Sequence, residues 1–130
     1  MRNLMSVLVL PLVFLGGCKD SGSTLQPSPA VFRIDLQSQF LDDSVRVVVD
    51  GRIVFEGRIT TNNIWSLAKS ISMDGNTGQY NIRVQVVHPF AGTEKDTTVT
   101  VKDTLTVAVR LDAPSRTLYF NLYPFLIPYD

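Results

Sequence analysis

Downstream of residue 30, apolar and polar residues alternate along most of the chain with the period of two that a half-buried strand requires. Tyr80, Ile82, Val84 and Val86 share one face of such a strand, and Asn81, Arg83 and Gln85 share the other. Leu105, Val107, Val109 and Leu111 repeat the pattern. So do Leu118, Phe120 and Leu122, which leaves Tyr119, Asn121 and Tyr123 facing outward. Clusters of turn-forming residues divide these runs: Asp42-Asp43, Asp50-Gly51, Thr61-Asn62-Asn63, Asp74 to Gly78, Pro89 to Thr93, Lys102-Asp103 and Asp112 to Ser115. Seven to eight short strands at such intervals predict an all-β sandwich or small barrel over residues 30–130.

The clearest local unit runs from Ser44 to Phe55, where Asp50-Gly51 separates two apolar runs and signals a hairpin. A two-residue turn would set Arg46 against Phe55 and mix polar with apolar residues on both faces. A three-residue loop, Val49-Asp50-Gly51, sets Val47 against Ile53 and Val45 against Phe55, and gathers four apolar residues on one face. The second register is the one the pattern favours, with Gly51 in a left-handed bulge position. Residues 64–73 fit two periods. Ile64, Leu67, Ala68 and Ile71 suit a helix, whereas Trp65, Leu67, Ile71 and Met73 suit a strand. Three serines in the same stretch favour the strand.

Composition supports the β reading. From Cys18 onward there are 13 Val, 7 Ile and 11 Thr against 9 Leu, 5 Ala and 2 Glu. β-Branched side chains fit a pleated surface and lose rotamer freedom in helices. In pattern and size the chain resembles an immunoglobulin-like or transthyretin-like sandwich. The Cys-Trp-Cys arrangement of antibody domains is absent, since Cys18 is the one cysteine in the sequence.

The beginning of the chain is different in kind. Arg2 is followed by an apolar run from Leu4 to Leu15 broken by Ser6 and Pro11. That run would span about 18 Å as a helix, well short of the roughly 30 Å hydrocarbon core, and it reads as a secretory signal. Leu15-Gly16-Gly17-Cys18 resembles the lipobox of bacterial lipoproteins. The resemblance implies cleavage after Gly17 and a covalent lipid on Cys18, hence a membrane anchor without a span. Lys19 stands where similar enterobacterial lipoproteins carry the aspartate that retains them at the inner membrane, a difference that favours the outer membrane over the inner and leaves the choice open. Residues 18–29 hold Ser, Pro and Gly with little apolar content and read as a flexible tether. The expected organisation is residues 1–17 as signal peptide, 18–29 as lipidated cysteine and tether, and 30–130 as the folded domain.

Little catalytic chemistry is visible. Twelve basic and 12 acidic residues cancel, and no Lys/Arg cluster offers a footprint for nucleic acid. One Cys and one His leave no transition-metal spacing, and no cofactor is expected beyond the lipid. His88 is the one general base of the usual kind, and it reads as a strand-end histidine before Pro89. No G-x-S-x-G motif places a nucleophile. Asp74 to Gly78 resembles a calcium loop at first sight, but Gln79 and Gln85 stand where an EF-hand needs Gly and Glu, so a plain hairpin turn is expected. The reading is a non-catalytic, lipid-anchored β-sandwich of the bacterial envelope that binds or supports an envelope protein or a glycan. The alternative is an envelope hydrolase with a site the sequence does not reveal. The candidate binding patch is Tyr119, Tyr123, Phe125 and Tyr129. The same apolar segment, Pro124 to Tyr129, could instead fold back, close an open end of the sandwich and cover the tyrosines.

Overall fold

The computed structural model describes residues 28–89 and 92–129. Leu15, Gly16, Gly17, Cys18 and the tether as far as Pro27 lie outside the described residues. Eight strands form: β1 (Pro29–Leu36), β2 (Asp43–Val49), β3 (Arg52–Ile59), β4 (Lys69–Asn76), β5 (Gly78–His88), β6 (Thr93–Val101), β7 (Thr104–Asp112) and β8 (Thr117–Tyr123). They make two four-stranded sheets, ordered β4-β1-β7-β8 and β3-β2-β5-β6. This is the all-β sandwich the alternation predicts. β1 runs antiparallel to β4 and parallel to β7. In an immunoglobulin constant-type sandwich the first strand pairs with the second. Here β2 lies in the other sheet, so that order is not the one adopted.

The inward positions are those the period of two selects. Phe32, Ile34 and Leu36 from β1, Val107, Val109 and Leu111 from β7, Val45 and Val47 from β2, and Ile82, Val84 and Val86 from β5 are all buried in one core. At the anticipated transfer value of about 25 cal/mol per Å², each such side chain contributes roughly 1.5–3 kcal/mol. The two outer faces differ. On the second sheet, Arg46 pairs with Glu56 at 2.7 Å and Arg83 with Asp96 at 3.6 Å, all on half-exposed side chains facing water. On the first sheet, Thr106 and Ala108 point outward yet have no exposure, and the segment after β8 is hydrogen-bonded over Thr106.

Four local expectations are corrected. The β2–β3 turn has two residues: Val49 faces Arg52 and Val48 faces Ile53. Asp50 and Gly51 have φ of 49° and 82°, the paired positive angles whose twist matches that of flanking strands. A bulge beyond Val47 then sets Val47 against Phe55 and Val45 against Gly57. The bulge, not a longer loop, brings Phe55 opposite Val47, and Ile53 is left 56% exposed.

Residues 64–73 are strand only from Lys69. Residues 63–66 form a turn closed by an isolated bridge between Asn62 and Leu67. Asp74 to Gly78 is no hairpin, because β4 and β5 belong to different sheets and the chain crosses between them at Thr77. Lastly, Leu122 sits opposite Val107 on the inner side of β8 but is 51% exposed, since it lies near the end of an edge strand.

Candidate functional site

The tyrosines and the segment after β8 occupy the outer face of the first sheet. Tyr119 is 42% exposed on β8, with the guanidinium of Arg110 at 5.5 Å from its ring. Tyr123 is half-buried, and its ring lies 5.8 Å from that of Phe125. Tyr129 is drawn away from this pair. Its hydroxyl donates to Asp35 Oδ2 at 2.8 Å and accepts from Gln37 Nε2 at 2.9 Å. Asp35 is fully buried and also receives Arg33 Nε and Nη2, each at 2.8 Å, and the Ser70 hydroxyl at 2.8 Å. Arg33 donates in addition to the Ile127 carbonyl, and Thr106 bonds both the Phe125 carbonyl and the Ile127 amide.

The four predicted patch residues are therefore not one surface. Tyr119, Tyr123 and Phe125 lie toward β8, while Tyr129 anchors a strap across β1. The segment does fold back, as one of the two sequence readings had it. It covers a sheet face, however, and the open end of the sandwich is closed by Phe40, which is 2% exposed in the β1–β2 connection. Burial raises the Tyr129 phenol above its ordinary value of 10.0; the Gln37 hydrogen bond opposes this, and Asp35, as both partner and charge, adds to it.

A second site lies at the end where the connections β1–β2, β3–β4 and β7–β8 meet. A cleft of about 390 Å³ opens there, lined by Ser38, Gln39, Phe40, Leu41, Thr60, Thr61, Asn63, Ser66 and Ala113. Its walls are stitched together. The Thr61 hydroxyl donates to the Gln37 carbonyl at 2.6 Å and accepts from the Phe40 amide at 3.0 Å. Gln39 Oε1 accepts from the Ala113 amide at 2.9 Å, and the Leu111 amide donates to the Ser38 carbonyl at 3.1 Å. Beneath the cleft, buried Asp43 accepts from the Leu41 amide at 2.8 Å and lies 3.5 Å from Arg116.

The same loops display large apolar side chains to solvent: Leu41 is 75% exposed, Ile64 84% and Trp65 47%. Ile64 and Trp65 are not loosely placed. Asn62 Oδ1 accepts from both of their amides, at 2.9 and 3.4 Å. Gln39, Asp42, Ser66 and Arg116 in these connections all have positive φ, between 51° and 70°. Non-glycine residues in that region are held there by their surroundings at a cost, and such positions concentrate at binding sites. The sequence reading missed this cleft. Its lining comes from three separate connections, and the one available signal was Ile64-Trp65 between Asn63 and Ser66, which the alternation had assigned to a strand.

His88 is exposed at the end of β5, and no side chain is hydrogen-bonded to its ring among the described residues. No group of three or more His, Cys, Asp or Glu close enough to hold a metal occurs among the described residues. Compared with family models, curated proteins and solved structures, the chain matches none.

Proposed function

We propose that this protein is a lipid-anchored binding module of the bacterial envelope, held through acyl chains on Cys18, with the β1–β2, β3–β4 and β7–β8 loop end as its binding site. The observation that carries the reading is one of placement. The chain enters the domain at Ser28, next to the start of β1, and β1 carries it up to the loop end. Eight residues at about 3.3 Å each put the cleft about 26 Å from the point of attachment. A tether arriving at Ser28 therefore leaves Leu41, Ile64 and Trp65 pointing away from the anchor. Exposed apolar side chains on a rigid rim, beside a concave floor, are the usual makings of a recognition surface.

Two measurements test this together. The full chain should incorporate labelled fatty acid, and Cys18→Ala should abolish incorporation. A photo-crosslinking residue placed at Ile64 should then capture an envelope component in intact cells, while the same residue at Lys102, at the opposite end, should not. Equal capture at both ends would show that the loop end is not the site.

A further inference from the structure

We propose that the loop-end cleft binds a neutral oligosaccharide; this rests on the binding-module reading above and names the ligand class of the same site. Six of the nine lining residues, Ser38, Gln39, Thr60, Thr61, Asn63 and Ser66, carry uncharged hydrogen-bonding side chains, and none of the nine is ionisable. Thr60 and Thr61 are spent on the walls, where Thr60 Oγ1 accepts from the Asp42 amide and Thr61 bonds Gln37 and Phe40. The hydroxyls of Ser38 and Ser66, the Asn63 amide and Gln39 Nε2 make no hydrogen bond within the chain among the described residues. They are left with both donors and acceptors facing the cleft and water.

The charged residues of the neighbouring segments are paired with one another. Arg58 lies 3.5 Å from Asp42, and Arg116 the same distance from Asp43. An anionic or cationic ligand would thus meet no free counter-charge in the floor. A sugar ring matches what is there: a rim of hydroxyls that both donate and accept, and a face of C–H groups that packs on an indole. Trp65, 47% exposed, is not one of the nine lining residues but stands in sequence between two of them, Asn63 and Ser66, in the turn that Asn62 fixes, and offers such an indole beside the cleft. The volume is near the lower end of small-ligand pockets, about 300–1,000 Å³, which suits one or two sugar rings with the remainder of a chain lying across the rim. Phe40, Leu41 and Ala113 supply apolar lining on which the C–H face of a sugar can also pack.

Trp65 is the one tryptophan of the chain, so its emission reports on the turn that carries the lining residues Asn63 and Ser66. The full-length protein, held in lauryldimethylamine oxide to avoid sugar headgroups, is titrated with cellohexaose, xylohexaose, mannohexaose, maltohexaose and chitohexaose into the millimolar range. At least one is expected to shift Trp65 emission saturably. Ser38→Ala and Asn63→Ala, which leave the wall bonds intact, should each weaken that binding by about three- to tenfold, the worth of one hydrogen bond. Lys102→Ala should leave it unchanged. A shift that is insensitive to Ser38→Ala and Asn63→Ala would place the sugar elsewhere and overturn the inference. No shift with any of the five sugars, alongside capture of a protein by the Ile64 crosslinker, overturns the inference while leaving the binding module standing. No shift and no capture overturns both.

Discussion

The Tyr129 hydroxyl donates a 2.8 Å hydrogen bond to the Asp35 carboxylate across 94 positions of the chain. It fastens the segment after β8 to a polar cluster on the outer face of the first sheet, centred on the fully buried Asp35. Tyr129→Phe removes this bond and the one from Gln37, and should lower the unfolding free energy by about 1–3 kcal/mol in urea titrations. Deleting residues 124–130 uncovers Thr106 as well and should cost several kcal/mol more, by the same measurement.

Alkali should loosen the same strap. Tyr129 is held above its ordinary value of 10.0, chiefly by burial, so the folded state keeps the phenol proton more tightly than the unfolded state does. The corresponding stability is whole below about pH 10 and is lost as pH rises through the raised folded value. The difference in unfolding free energy between the parent and Tyr129→Phe should therefore be constant at neutral pH and shrink above about pH 10. A difference that stayed constant to about pH 11.5 would exclude the linkage.

Asp35 and Arg33 form a pair in which one partner cannot be spared alone. Asp35→Ala leaves Arg33, 17% exposed, without its carboxylate, and leaves Ser70 and Tyr129 without their acceptor. The expected cost is about 3–5 kcal/mol. Replacing both residues with apolar ones, Arg33→Met with Asp35→Leu, should cost clearly less than Asp35→Ala, because no charge is then stranded. A double-mutant cycle reads the difference.

At the β2–β3 turn, Gly51 has a φ of 82°. Gly51→Val should destabilise by about 1–3 kcal/mol, whereas Gly51→Asn should cost less than about 1 kcal/mol, because asparagine tolerates that region. The pair of variants separates a conformational demand from a packing one, since a Cβ at this position would meet nothing within 4 Å.

At the loop end, Asn62→Ala removes the acceptor for the Ile64 and Trp65 amides. It should cost about 1 kcal/mol of stability and increase acrylamide quenching of Trp65, with the far-UV spectrum unchanged.

What was legible in the sequence is what one strand's own pattern determines. The inward residues of β2, β5 and β7 follow from alternation alone, because burial on one face imposes a period of two whatever the neighbours are. Which strands are neighbours did not follow. Asp74 to Gly78 has the composition of a hairpin turn, yet joins strands in different sheets, and turn residues are the same in both cases. The β2–β3 register failed for a related reason: a bulge at Val54 lets a short turn bring Phe55 opposite Val47, and a pattern without bulges cannot show that pairing. Tyr119, Tyr123, Phe125 and Tyr129 are one aromatic group in sequence and two in space, because Asp35 selects Tyr129 from a distance no local reading spans. The cleft was invisible for the same cause, since its lining is drawn from three connections.

The parallel pairing of β1 with β7 sets an order of events. β1 lies inside its sheet between β4 and β7, and its parallel partner begins only at Thr104. A chain emerging amino end first must therefore leave one backbone edge of β1, from Val31 to Leu36, unpaired until about 70 further residues have followed, and contacts closed over such separations form late. The first of the described strands is thus among the last to be completed, and its sheet closes only when nearly all of the domain has been synthesised.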